Sequence, residues 1–160
     1  MVSDHEGWTL LLHPAFMKRL AALKSQVEEL VRKDPDGYKQ HPLAKLLASI
    51  AEARKDIHKN PLHKKFNLGK TLGKKYTHWK RAKDLLPDRY RMFFRAHSPV
   101  RLIIICWIND NTTLRKQGSK TDVYRVFKKM LDSGLMPDDI KELKKQSEDP
   151  AGAPPPDDRA

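Results

Sequence analysis

The sequence predicts an α+β fold in which helices pack on a mainly antiparallel sheet in two layers. Apolar residues recur at helical spacing over two long N-terminal segments and again over residues 123–131. Between them, residues 89–97 alternate with period two and residues 101–108 are almost uninterruptedly apolar, the patterns of a half-buried and a central strand. A single chain of 160 residues with 39% hydrophobic residues is enough for one core, so residues 1–146 are read as one domain.

Trp8 to Leu12 reads as a short strand, and His13-Pro14 then opens a helix, because proline is well placed in a first turn. Phe16, Leu20, Leu23, Val27, Leu30 and Val31 form its apolar stripe, which stops before Asp34-Pro35-Asp36-Gly37. A second helix runs from Tyr38 or Pro42 to Lys59, with Leu43, Leu46, Leu47, Ile50 and Ile57 facing inward. Residues 60–76 form a basic loop broken by Pro61, Gly69 and Gly73. Three strands follow, over His78–Lys83, Arg89–His97 and Arg101–Ile108, the last two joined as a hairpin through Ser98-Pro99. Thr121-Asp122 caps a helix closed by Gly134, and a short last helix spans Pro137–Lys145. The remainder, residues 147–160, is rich in Pro and Asp without periodicity and is expected to be a disordered tail.

The net charge of +12 is concentrated. Residues 58–101 carry 13 bases against two acids, whereas residues 1–57 carry nine against eight. A block of this kind points to a phosphate-binding face. In the Arg89–His97 strand the odd positions put Arg89, Arg91, Arg95 and His97 on one side with Phe93, and the even positions put Tyr90, Met92, Phe94 and Ala96 on the other. In the strand before it, Trp79, Arg81 and Lys83 share one side and His78 and Lys80 the other. Tyr90 and Phe94 read as core, whereas Trp79 and Phe93 share parity with bases and are candidates for stacking on unpaired nucleobases.

Other classes are disfavoured. No two histidines stand four apart, there is no cysteine pair, and the basic block would repel a cation, so no metal site and no cofactor are expected. Gly69-Lys70-Thr71 lacks the upstream glycine of a phosphate-binding P-loop. Cys106 lies inside the apolar strand, where a thiol is inert. No apolar run approaches the roughly 18 residues of a membrane span. The opening stretch has acids where a secretory leader has bases, and one cysteine cannot form an intramolecular disulfide, so the chain reads as cytoplasmic.

RNA can be cut without a metal. Its 2′-OH attacks the adjacent phosphorus, so a protein needs a group to take that proton, an acid for the departing 5′-oxygen and cations for the charge on the phosphoryl oxygens. Arginine suits the last role through its planar fork of donors. On these grounds Arg89, Arg95, Lys80, Trp79, His78, His97, Lys74 and Lys75, with Lys120 further on, are the expected RNA contacts.

Beyond these physical readings, Gly7-Trp8, His13-Pro14-Ala15-Phe16, Lys45-Leu46-Leu47-Ala48, Arg89-Tyr90-Arg91-Met92-Phe93-Phe94-Arg95, Trp107-Ile108-Asn109-Asp110, Thr113-Leu114-Arg115, Gly118-Ser119-Lys120-Thr121-Asp122 and Val126-Phe127-Lys128-Lys129-Met130-Leu131 occur in an order and spacing that resemble the YhaV family of bacterial toxins. That family falls in the RelE superfamily of type II toxin–antitoxin systems, and the likeness covers about residues 7–140. The resemblance implies a RelE-like fold and an endoribonuclease that cleaves mRNA during translation and arrests growth. It also implies a PrlF-like antitoxin with an AbrB-type DNA-binding domain, the complex repressing its own operon. Catalytic positions carried over from related toxins are Arg81 and Lys83 on the second strand, Arg91 in the Tyr-Arg element, and Arg115 and Tyr124 towards the C-terminus, with Lys120 as the alternative to Arg115. Two other readings stand beside this one: a toxin of the same fold with a non-RNA target such as DNA gyrase, and a non-catalytic RNA- or DNA-binding protein.

Overall fold

Both long helices begin with the same dipeptide. His13 and His41 adopt extended backbone, and the Nδ1 of each accepts a hydrogen bond from the backbone N–H two residues on, 3.1 Å in both cases. A proline follows each histidine, where its missing N–H costs nothing. In the computed structural model, which describes residues 7–147, these caps start α1 (Pro14–Lys33) and α2 (Pro42–Lys59). Of the two starts open for the second helix, Pro42 is the α-helical one, and Tyr38–Gln40 forms a separate 3-10 turn. The remaining elements are β1 (Thr9–Leu12), β2 (Lys80–Ala82), β3 (Met92–His97), β4 (Leu102–Ile108), α3 (Val123–Ser133) and α4 (Ile140–Gln146). Apart from Ser147, the proposed tail lies outside the described residues.

The sheet order is β1-β4-β3-β2, with β1 parallel to β4 and the other pairs antiparallel. β4 is central, and all seven of its residues are buried, as its unbroken apolar run predicts. Phe94 pairs with Ile105 and Phe93 with Trp107, which leaves Cys106 as the extra residue of a bulge. The bulge resets the alternation, so Cys106 and Trp107 face the same side as Phe93 while Ile105 and Ile108 face the other. Cys106 is fully buried, and desolvation pushes its thiol far above the ordinary range, which removes it as a nucleophile.

The α+β class is as expected, but helices cover the sheet on both faces, so the layering is helix–sheet–helix where the sequence pattern predicts two layers. Phe16, Leu20, Leu46, Ile50 and Ile57 of the helical hairpin pack on Met92, Phe94, Ile103 and Ile105. On the opposite face Val123, Phe127 and Leu131 of α3 and Leu143 of α4 close over Trp79, Phe93, Ile104 and Trp107. Phe127 is the keystone: its ring stacks at 4.1 Å on Phe93 and 5.6 Å from Trp107, and meets Trp79 edge-on at 5.1 Å. Phe127→Ala should therefore lower unfolding free energy by about 3–5 kcal/mol, read as a shifted urea midpoint.

This second layer corrects the stacking expectation. Trp79 and Phe93 are both 0% exposed, so neither ring presents a face to a nucleobase. Parity placed them on the side of the bases correctly, but α3 covers that side. Arg89 is also displaced from its expected strand. The regular strand begins at Met92, and Arg89 sits in the preceding turn with φ of 72°.

Candidate active site

At the edge of the α3-covered face a group of half-buried cations converges on the buried Tyr124. Tyr124, in the first turn of α3, is anchored by its ring against Phe93, edge-on at 5.8 Å. Its hydroxyl accepts a hydrogen bond from Arg81 Nε of β2 and another from Arg91 Nε just before β3, each 3.0 Å long. The guanidinium of Arg115 lies over the same ring, 4.9 Å from its centroid, and that of Arg91 is at 6.0 Å. Three arginines from distant parts of the chain thus surround one phenol.

Backbone carbonyls hold Arg81 and Arg91, and an acid holds Arg115. Arg81 Nη1 donates to the carbonyl of Asn67 at 3.0 Å, which ties β2 to the basic loop. Arg91 Nη1 donates to the carbonyl of Tyr90 at 2.8 Å. Arg115 pairs with Asp122 at 2.9 Å, and this is the one carboxylate in contact with the three guanidinium groups among the described residues. Asp122 is only 4% exposed and fully committed: its oxygens also accept from the backbone N–H of Lys116 and of Tyr124, the latter capping α3.

Asn109 fixes the other end of the connection that carries Arg115. It is 2% exposed, its Oδ1 accepts from the Arg91 N–H at 2.9 Å, and its Nδ2 donates to the carbonyls of Arg89 and Thr113. The Arg115 N–H also donates to the Arg89 carbonyl, at 2.9 Å. The left-handed turn at Arg89 therefore serves to aim its carbonyl at the 109–115 segment. Asp110, next in the chain, pairs with Arg19 of α1 and receives the Thr112 hydroxyl. Desolvation opposes its charge, but the Thr112 hydrogen bonds and Arg19 hold its carboxyl below the usual value. Sequence reasoning gave Asn109 no role and Asp122 only a capping one. The signal for Asn109 was there: a polar residue ending an all-apolar buried strand needs partners.

Other expected residues lie elsewhere. Lys83 follows the end of β2 and lines a narrow crevice with Ala53, Asp56 and Lys65, on the helical-hairpin side; its side chain makes no hydrogen bond or ion pair with a described residue. Lys80 donates to Asn67 Oδ1 at 2.8 Å, and desolvation lowers the pKa of its amine. Lys74 and Lys75 are exposed on the basic loop, with Lys75 5.6 Å from the Tyr76 ring centroid, and Lys120 is exposed beyond Arg115. His97 stands at the end of β3 remote from Arg91.

His78, Trp79 and Arg95 form a second and structural group around Asp138, just before α4. His78 Nε2 and Trp79 Nε1 each contact Asp138 Oδ1 at 2.7 Å, and Arg95 donates to the Asp138 carbonyl while lying 5.4 Å from the Trp79 ring centroid. The Arg95 side chain is mostly covered while those of His78 and Asp138 are partly exposed, so this group ties the segment before α4 onto the sheet at the surface. Desolvation works against the Asp138 charge, yet the hydrogen bonds from His78 and Trp79 and the charges of His78 and Arg95 hold its carboxyl below the ordinary 3.8. A depressed carboxylate stabilises the fold fully above its unfolded pKa and loses that contribution as pH falls through the folded one. Asp138→Asn should thus be less stable than the parent chain near neutrality, and the difference should shrink below a pH of about 4 in denaturation series.

Among the described residues no three His, Cys, Asp or Glu side chains come together as a metal would require, and no helix is long and apolar enough to cross a membrane. The site is built from three guanidinium groups, the Tyr124 phenol, the Asp122 carboxylate and backbone carbonyls. No solved structure matches the chain. The chain is 41% identical over 145 residues to the Ribonuclease toxin YhaV of Escherichia coli (strain K12), covering 89% of this chain and 94% of that protein. The Toxin YhaV of E. coli O157:H7 matches to the same extent. The profile of the Toxin_YhaV family, described as "Toxin with endonuclease activity, of toxin-antitoxin system", matches residues 10–148. With that profile spanning most of its length, the chain belongs to the YhaV family of endonuclease toxins of toxin–antitoxin systems.

Proposed function

We propose that the chain is an endoribonuclease that cleaves mRNA by 2′-OH attack, without a metal, and so inhibits translation and growth. The observation that carries this reading is the pair of Arg Nε donors on one tyrosine hydroxyl, with a third guanidinium over the ring. Cleavage of this kind moves negative charge onto the phosphoryl oxygens and then onto the 5′-oxygen. Arg91 and Arg81 supply charge-assisted donors for the first, with Arg115 completing the cationic wall. Tyr124 serves the second. A hydroxyl can accept two hydrogen bonds and donate one, and both acceptor positions are filled by arginine, so its proton is left to donate outward. It is passed to the 5′-oxygen as the P–O5′ bond breaks, while a solvent water serves as the base that takes the 2′-OH proton and a 2′,3′-cyclic phosphate forms. Lys74, Lys75, Lys120 and Arg89 then hold the RNA outside the reacting phosphate.

Membership of a toxin–antitoxin family implies an antitoxin partner. We read it as a PrlF-like protein with an AbrB-type domain that neutralises the chain and, in complex with it, represses the shared operon. The ribosome is the place where the chain meets its mRNA, and the cytoplasm is its compartment. Incubating the purified chain with labelled mRNA in EDTA, with and without ribosomes, tests this function. Scission leaving 2′,3′-cyclic or 3′-phosphate ends is expected. Binding without scission, or inhibition of gyrase supercoiling alone, would replace it with one of the other two readings.

A further inference from the structure

Beside the arginine–tyrosine group an open cleft of about 400 Å³ continues along the surface, a volume within the ~300–1,000 Å³ of small-ligand sites. Arg115 and Tyr124 form one part of its wall, Arg125 and Lys128 of α3 another, and Gln117 and Ser119 line it from the connecting segment. Most of these side chains are already committed. Arg115 is paired with Asp122, Ser119 shares a hydrogen bond with Thr121 at 3.0 Å, and Lys128 is paired with Asp132 at 2.9 Å. Thr71, at the rim, donates to the Leu68 carbonyl at 2.8 Å.

Gln117 and Arg125 differ from the rest. Both are exposed, and neither side chain makes a hydrogen bond or ion pair with a described residue. Gln117 carries the one primary amide in the wall, a planar group with two donors and one acceptor oxygen, the complement of a nucleobase edge. Arg125 offers a free guanidinium, the complement of a phosphate. The segment that carries Gln117 is held between two pinned points, Arg115 on the Arg89 carbonyl and Asp122 on the Lys116 N–H, so its backbone is fixed beside Tyr124.

We infer that this cleft is a subsite for the nucleotide next to the scissile phosphate, in which Gln117 reads the base edge and Arg125 holds the outer phosphate. The inference rests on RNA being the substrate. It makes Gln117 the residue that sets sequence preference, separate from the group that performs the cleavage.

The test is cleavage-site sequencing on a random RNA pool with the full-length chain and its Gln117→Ala, Gln117→Glu and Arg125→Ala variants. The parent chain should show a base preference at one position flanking the cut. Gln117→Ala should flatten that preference and lower kcat/KM on the preferred base about tenfold, and Gln117→Glu, which keeps the shape but loses the amide donors, should change which base is preferred. Arg125→Ala should raise KM on all sequences with the profile unaltered. An unchanged profile in both Gln117 variants, or a parent chain that cuts with no base preference, overturns the subsite while leaving the ribonuclease reading intact. A parent chain that cuts no RNA removes both.

Discussion

Arg91→Ala should cut RNA on the order of 10²–10³ times more slowly than the parent chain, the usual loss when one donor to a developing anion is removed. The loss should fall on kcat, because Arg91 is aimed at charge that appears only as phosphorus becomes five-coordinate. It should not come from unfolding. The Arg91 side chain donates to the Tyr124 hydroxyl and the Tyr90 carbonyl near the surface, and the backbone N–H bound by Asn109 survives the substitution. The variant should therefore keep its urea midpoint to within about 1 kcal/mol and still bind its antitoxin. Arg91→Lys should recover only part of the rate, because an ammonium has the charge but not the fixed planar donors. Full activity in the alanine variant would remove Arg91 from the chemistry.

Tyr124→Phe is the second large effect. Loss of a general acid typically costs about 10²–10⁴-fold, again in kcat. Phenylalanine keeps the edge-on contact with Phe93 and the ring beneath Arg115, so packing is little disturbed. A structural explanation would also predict a slow enzyme, and substrate chemistry separates the two. On RNA carrying a 5′-bridging sulfur, whose thiolate leaves without protonation, the phenylalanine variant should approach the parent rate. An equal deficit on both substrates would mean that Tyr124 positions Arg81 and Arg91 and does not donate a proton.

Much of this was legible in the residues themselves. The apolar stripe Phe16, Leu20, Leu23, Val27 defines the buried face of α1, and the unbroken run of β4 marks the central strand. Strand parity put Arg81 and Arg91 on one side and Met92 and Phe94 on the other, and the structure agrees. Period two says which residues share a face, however, and not what lies over that face. The stripe of α3 shows that it is buried without naming the surface it covers. Hence Trp79 and Phe93, which alternation alone makes candidates for stacking, are core residues under Phe127. The same holds for Arg95: its place among the bases is clear, but its partner Asp138 is 43 residues away, and helical spacing over 137–145 does not say which strand that segment meets. Lys83 illustrates the length of an element. Two residues after Arg81, it would share that face only if the strand continued, and β2 ends at Ala82.

In the proposed reaction a 2′-OH, steered by three arginines and a tyrosine, does the cutting. A chimeric RNA oligonucleotide with a single 2′-deoxy substitution at the nucleotide 5′ to the mapped cut, assayed with the full-length chain in EDTA, removes that nucleophile and nothing else. The all-ribo oligonucleotide should be cleaved to a 2′,3′-cyclic phosphate and a 5′-hydroxyl, and the substituted one should stay intact at that position. Cleavage of the deoxy-substituted site at a comparable rate, or products carrying 5′-phosphate, would contradict the account.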